Sequence, residues 1–229
     1  LNFFNRYTFL RTLPNLDQIL KTIGTLMVVI GGFWTAFQED LRRAFSFSIL
    51  TETGFSLLAM GYASQGGFTW MLLLFPVRAL GYWLWGYTLT AIDNHTGALN
   101  IQTIHGAARQ YPLLSAGLLL SQLSIAGFPL MASFPVKLIL FKSAFNTDTT
   151  FAIWSFLGNL GLFVFTIRVL AALVKPEDKT RPQGWFLHEK PYEILLVVVA
   201  ILILDVLGLF PHKLLDGIAK PLAAFPQLQ

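Results

Sequence analysis

The stretch Leu123-Ser124-Ile125-Ala126-Gly127-Phe128-Pro129-Leu130-Met131-Ala132-Ser133-Phe134-Pro135-Val136-Lys137 decides how this sequence folds. It sits inside an apolar region covering residues 111–145. As one helix that region would be about 50 Å long, against a bilayer core of about 30 Å. Pro129 and Pro135 each remove a backbone donor and crowd the preceding turn. A broken helix at membrane depth survives only where protein or a wet cavity covers the freed backbone groups. The pattern therefore predicts one discontinuous span: a first half from Tyr111 to about Ala126, a non-helical link, and a second half from about Phe134 to Phe145. Two tight spans joined by a proline loop are the alternative. Lys137, just past the break, favours the broken helix, because charge at depth marks transport sites.

Outward from the break the rest of the chain reads as further spans. Apolar blocks of crossing length cover about residues 16–37, 44–63 and 68–91 before it, and 151–174 and 192–210 after it. The expected fold is an all-α membrane protein of about six transmembrane helices, one of them broken near residues 127–135. Residues 146–229 would add the last two spans and a tail that lies in the interface, with Leu214, Leu215, Ile218 and Leu222 on one face. Composition agrees. Of 229 residues, 55% are hydrophobic and 12% charged, about half the charge of a soluble domain. The 21 Phe serve lipid contact and helix packing.

With no cysteine, this chain holds no disulfide, iron–sulfur cluster or thiolate zinc site. His95, His105, His188 and His212 fall in loops or at span ends without the spacing of a metal pair, so no metal is assigned. A net charge of +4 fits loop lysines and arginines, not nucleic-acid binding. Arg42, Arg43, Arg109, Lys175, Lys179, Arg181 and Lys190 fall on one face, which the positive-inside rule makes cytoplasmic or its organellar equivalent. Arg6, Arg11, Lys213 and Lys220 fall on the other. No signal peptide is read at the start. The chain opens at Leu1, so its true N-terminus is expected to lie upstream.

Ionisable side chains within spans are costly and point to function. Lys137 is the leading candidate. A lysine can give up its proton on leaving water, and so can exchange one as a nearby charge changes. Glu52 lies one span before Arg78, and neither should stand alone at depth, so a buried pair is expected. Arginine stays protonated, which makes Arg78 a fixed charge. Lys21, in the first turns of its span, is the fourth candidate for a proton path or charge relay, with snorkelling as its alternative. Arg168 and Asp205 read as interfacial.

Three segments, in order and in register, resemble the antiporter-like subunits of complex I and the Mrp sodium/proton antiporters. The first runs from Ile23-Gly24-Thr25 to Gln38-Glu39-Asp40-Leu41-Arg42-Arg43-Ala44-Phe45-Ser46, with Gly54 following. The second is Arg78-Ala79-Leu80-Gly81-Tyr82-Trp83-Leu84-Trp85-Gly86. The third is Leu123-Ser124-Ile125-Ala126-Gly127-Phe128-Pro129 through Phe134-Pro135-Val136-Lys137. Gly208-Leu209-Phe210-Pro211 adds a weak fourth match.

The resemblance implies that residues 1–145 are the second half of an antiporter-like bundle, with a first half not in this chain. It implies proton translocation, coupled to electron transfer in partner membrane-arm subunits that carry iron–sulfur clusters and a quinone site. The chain itself would carry no cofactor. The implied setting is multi-pass in a bacterial inner, thylakoid or mitochondrial inner membrane. An Mrp-type antiporter subunit, or a structural subunit with an inactive truncated channel, are the alternatives. Lys137 matches the family's lysine after the break. Departures are Arg78 for a central lysine, Leu74 for a histidine, Glu52 for a glutamine, and Leu130 and Ser133 for the second proline and glycine of the break.

Overall fold

A computed structural model describes residues 15–97, 99–175 and 189–210. The terminal charges, His188, His212, most of the 175–190 loop and the expected interfacial tail lie outside the described residues. Among those described, secondary structure is helical apart from one isolated bridge, Asp40 to Asn100. The α-helices are α1 (Leu16–Phe37), α2 (Leu41–Gly61), α3 (Gly67–Thr96), the short α4 (Ala107–Gln110), α5 (Pro112–Ala126), α6 (Phe134–Thr147), α7 (Thr149–Val174) and α8 (Pro191–Leu209), with a 3-10 turn at Ala63–Gln65 between α2 and α3. By length and apolarity α1, α2, α7 and α8 can each cross a membrane, and α5 is a shorter apolar helix.

α1 and α2 form a tight antiparallel hairpin. Asp40 starts α2 by accepting from the Arg42 and Arg43 backbone N–H groups at 2.8 and 3.1 Å, satisfying donors that a helix start leaves free. This capping begins α2 at Leu41, a turn earlier than its apolar run suggests. Likewise α3 runs past its apolar stretch to Thr96, where Gly97 ends it in the left-handed conformation. Hydrophobicity marks the part of a helix that is buried, and caps mark where it ends.

The α1–α2 contact is made by small residues. A Cβ added at Gly54 would stand 2.6 Å from the Gly24 carbonyl oxygen, so only bare backbone allows this approach. α7 packs on the other side of α1, and Arg168 of α7 donates to the Ala36 and Gln38 carbonyls at the end of α1. Trp85 of α3, fully buried, gathers Phe45 and Phe165 around it at centroid distances of 5.3 and 6.3 Å. That aromatic cluster ties α2, α3 and α7 together.

The region 111–145 folds as α5, a link and α6. Gly127 turns left-handed at φ 77°, and the Phe128 N–H closes back on the Leu123 carbonyl at 3.0 Å, an ending that satisfies a carbonyl the helix leaves free. Pro135 stands in the first turn of α6, where a proline breaks no helical hydrogen bond. Leu130 in the link also has a positive φ, 74°, which is uncommon for a residue with a side chain. Gly208 of α8 packs directly on its carbonyl.

Candidate functional site

The break in the helix leaves carbonyls at the end of α5 without partners of their own helix. Side chains from elsewhere meet them. Ser133, in the link, donates to the Ser124 carbonyl. Lys137, in the opening turns of α6, folds back so that its Nζ donates to the Ile125 carbonyl at 2.6 Å. The negative end of the α5 dipole thus faces an ammonium. Gly127 makes room for the lysine stem, since a Cβ there would lie 2.8 Å from Lys137 Cδ.

The same ammonium donates to Glu52 Oε1 at 2.5 Å and to Asn159 Oδ1 at 3.0 Å. It also lies 4.5 Å from the centroid of the Phe55 ring. Lys137 and Glu52 are each 2% exposed, so Lys137 is embedded in protein and does not snorkel. The expected partnership of Glu52 with Arg78 is present as well. Arg78 Nε stands 2.5 Å from Glu52 Oε2, an ion contact without hydrogen-bond alignment, while its Nη1 donates to Ser56 Oγ. One carboxylate therefore serves two cations, one on each oxygen, and the buried cluster carries one net positive charge.

Lys21 stands apart from this cluster. Its Nζ reaches Asp148 Oδ2 at 2.8 Å and lies 4.3 Å from the centroid of the Tyr62 ring. Asp148 follows α6, about 16 Å beyond Lys137 at the helical rise. Phe55, Leu58, Leu140 and Ala144 form an apolar cluster between the two sites. At the other end of the bundle His95 stacks on Tyr111 and stands 3.4 Å from Glu193.

Sequence reading missed Asn159. Its signal was available, since an amide alone in the apolar run of α7 must find polar partners or destabilise the fold.

The chain belongs to the NADH:quinone oxidoreductase/Mrp antiporter transmembrane family, which matches residues 2–162. It is an integral membrane protein. It is 28% identical over 221 residues to the NADH-quinone oxidoreductase subunit N of Moorella thermoacetica, covering 90% of this chain and 44% of that protein. The chain spans less than half the length of the curated relatives it matches. In fold it is similar to a chain of respiratory complex I from Thermus thermophilus (TM-score 0.78, 20% identity, 93% of this chain and 44% of that one). It is equally similar to a chain of the Mrp complex from Dietzia sp. DQ12-45-1b (TM-score 0.78, 14% identity, 87% and 45%).

Proposed function

We propose that this chain is part of a proton-translocating membrane-arm subunit of a complex I-type NAD(P)H or ferredoxin:quinone oxidoreductase. The observation that carries the reading is the Arg78–Glu52–Lys137 cluster buried at the break between α5 and α6. In this reading residues 1–145 are the second half of an antiporter-like bundle, and residues 146–229 add two further spans and the tail. The chain crosses the membrane six times, with α5, the link and α6 as one discontinuous span. It works with the other half of such a subunit and with partners that hold the iron–sulfur clusters and quinone site.

The chemistry is electrostatic. Arg78 keeps its charge throughout, because a guanidinium does not deprotonate. Lys137 is the member of the cluster that exchanges a proton, with Glu52 as its counterion. A positive charge arriving beside the cluster expels the Lys137 proton, and its departure draws another in. Electron transfer in partner subunits drives that sequence through charges elsewhere in the membrane arm. Lys21 then belongs to the bundle end, and its pairing with Asp148 supports an anchoring role.

Two other readings have an observation in their favour. The equal fold likeness to the Mrp complex chain supports an antiporter subunit driven by ion gradients. The fixed charge of Arg78 on Glu52 supports a structural subunit whose channel no longer conducts. Mass spectrometry of the complex gently purified through this chain separates the first two. Stoichiometric iron–sulfur and quinone-site subunits are expected, and small membrane proteins alone would overturn the redox reading. Proton translocation by the Lys137→Ala complex tests the third.

A further inference from the structure

We infer that Asn159 is the positioning residue that holds Lys137 in register with the helix break. The inference rests on the reading of Lys137 as a proton carrier. Asn159 is 4% exposed. Its Oδ1 accepts from Lys137 Nζ at 3.0 Å, and its Nδ2 donates to the Ala126 carbonyl at 2.8 Å. The amide has one usable orientation. An ammonium only donates and a carbonyl only accepts, so exchanging its O and N would lose both bonds. One side chain of α7 thereby joins the last carbonyl of α5 to the lysine of α6, across the gap where the backbone is not helical.

The count of partners gives this arrangement its chemical meaning. A lysine ammonium has three N–H donors. Lys137 has three acceptors: Glu52 Oε1, the Ile125 carbonyl and Asn159 Oδ1. A neutral amine has two donors and would leave one acceptor without a hydrogen. Two of the three are rigid. The Ile125 carbonyl is backbone, and Asn159 is tied to Ala126. Asn159 therefore completes a socket shaped for the charged lysine while adding no charge that could trap the proton there.

Its own place is fixed by backbone contact. Asn159 lies between Gly158 and Gly161, where α7 crosses α1. A Cβ on Gly158 would stand 2.6 Å from the Val28 carbonyl oxygen, and one on Gly161 would stand 2.1 Å from that of Gly32. α7 cannot slide along α1 without losing this fit, and so the amide stays level with the break.

The test uses the intact complex purified through this chain and reconstituted in liposomes. Proton translocation is followed against pH for the native complex, Asn159→Leu, Asn159→Asp and Lys137→Ala, with assembly checked on native gels. Asn159→Leu removes an acceptor from the ammonium, so the alkaline limb of its profile should move down by about one pH unit. Asn159→Asp places a carboxylate against the ammonium, so the limb should move up by a similar amount. A residue needed only for packing would lower yield and leave the profile in place. Unshifted profiles in both variants beside an inactive Lys137→Ala would overturn the role of Asn159 alone. Failure of both variants to assemble would assign Asn159 to folding and overturn it too. Full translocation by Lys137→Ala would instead remove the reading of the site on which the inference stands.

Discussion

Glu52 and Lys137 are 85 positions apart in sequence, and their charged atoms meet at 2.5 Å in the interior. The other oxygen of Glu52 faces Arg78. The carboxylate is thus the hinge of the cluster's electrostatics. Without it, two cations remain buried with no counterion. Without either cation, a neutral pair remains.

This asymmetry gives the first prediction. Glu52→Gln should destabilise the chain by about 3–5 kcal/mol, the cost of uncompensated buried charge. Arg78→Gln should be milder, because Glu52 keeps Lys137. Thermal unfolding of the detergent-solubilised complex, with yield on native gels, measures both. Equal losses would show that the two cations do not share one counterion.

Lys137→Ala should assemble better than Glu52→Gln, since it leaves Glu52 paired with Arg78. Its proton translocation should nevertheless fall at least tenfold relative to electron transfer, a loss of about 1.4 kcal/mol or more in the limiting step. The ratio of protons moved to electrons transferred is the readout. An unchanged ratio would leave the cluster as a structural device only.

The break was legible because its cause is local. Gly127, Pro129 and Pro135 act on neighbouring backbone, and a lysine ten residues past Gly127 in an apolar run has to be accounted for. The Glu52–Arg78 pair was legible from cost, since two opposite charges on successive spans have each other as the nearest remedy. The third contact was not. Lys137 reaches Glu52 because its side chain folds back to the end of α5 and because α1 sits tightly between α2 and α7. Those placements depend on glycine contacts between segments more than a hundred residues apart, such as Gly32 with Gly158. Periodicity within one span carries no trace of them. The same ignorance kept Lys21 among the relay candidates behind Lys137, because depth along a helix says nothing about which neighbour a side chain meets.

Lys21→Ala provides the contrast. Its partner Asp148 is about one-third exposed, and ion pairs with access to solvent contribute about 0.2–1 kcal/mol. Proton translocation should stay within a factor of two of the native complex, with only a slight fall in melting temperature. Loss of translocation comparable to Lys137→Ala would place Lys21 on the proton path and show that the apolar layer of Phe55, Leu58 and Leu140 is crossed.

The α1–α7 crossing can be probed without touching a polar group. A Cβ at Gly32 would stand 1.8 Å from the Gly158 carbonyl oxygen, a distance no side chain tolerates, so Gly32→Ala must push α7 off α1. Overpacking of this kind costs about 1–3 kcal/mol. It should also lower proton translocation, because Asn159 moves with α7 and the socket around Lys137 opens. Gly86→Ala is the control. Its added Cβ would meet only the Phe45 ring, at 3.9 Å, and alanine favours a helix interior over glycine by up to about 1 kcal/mol. That variant should melt at or above the native temperature and translocate normally. If Gly32→Ala lowers stability but leaves translocation intact, the crossing holds the bundle together without setting the geometry of the lysine.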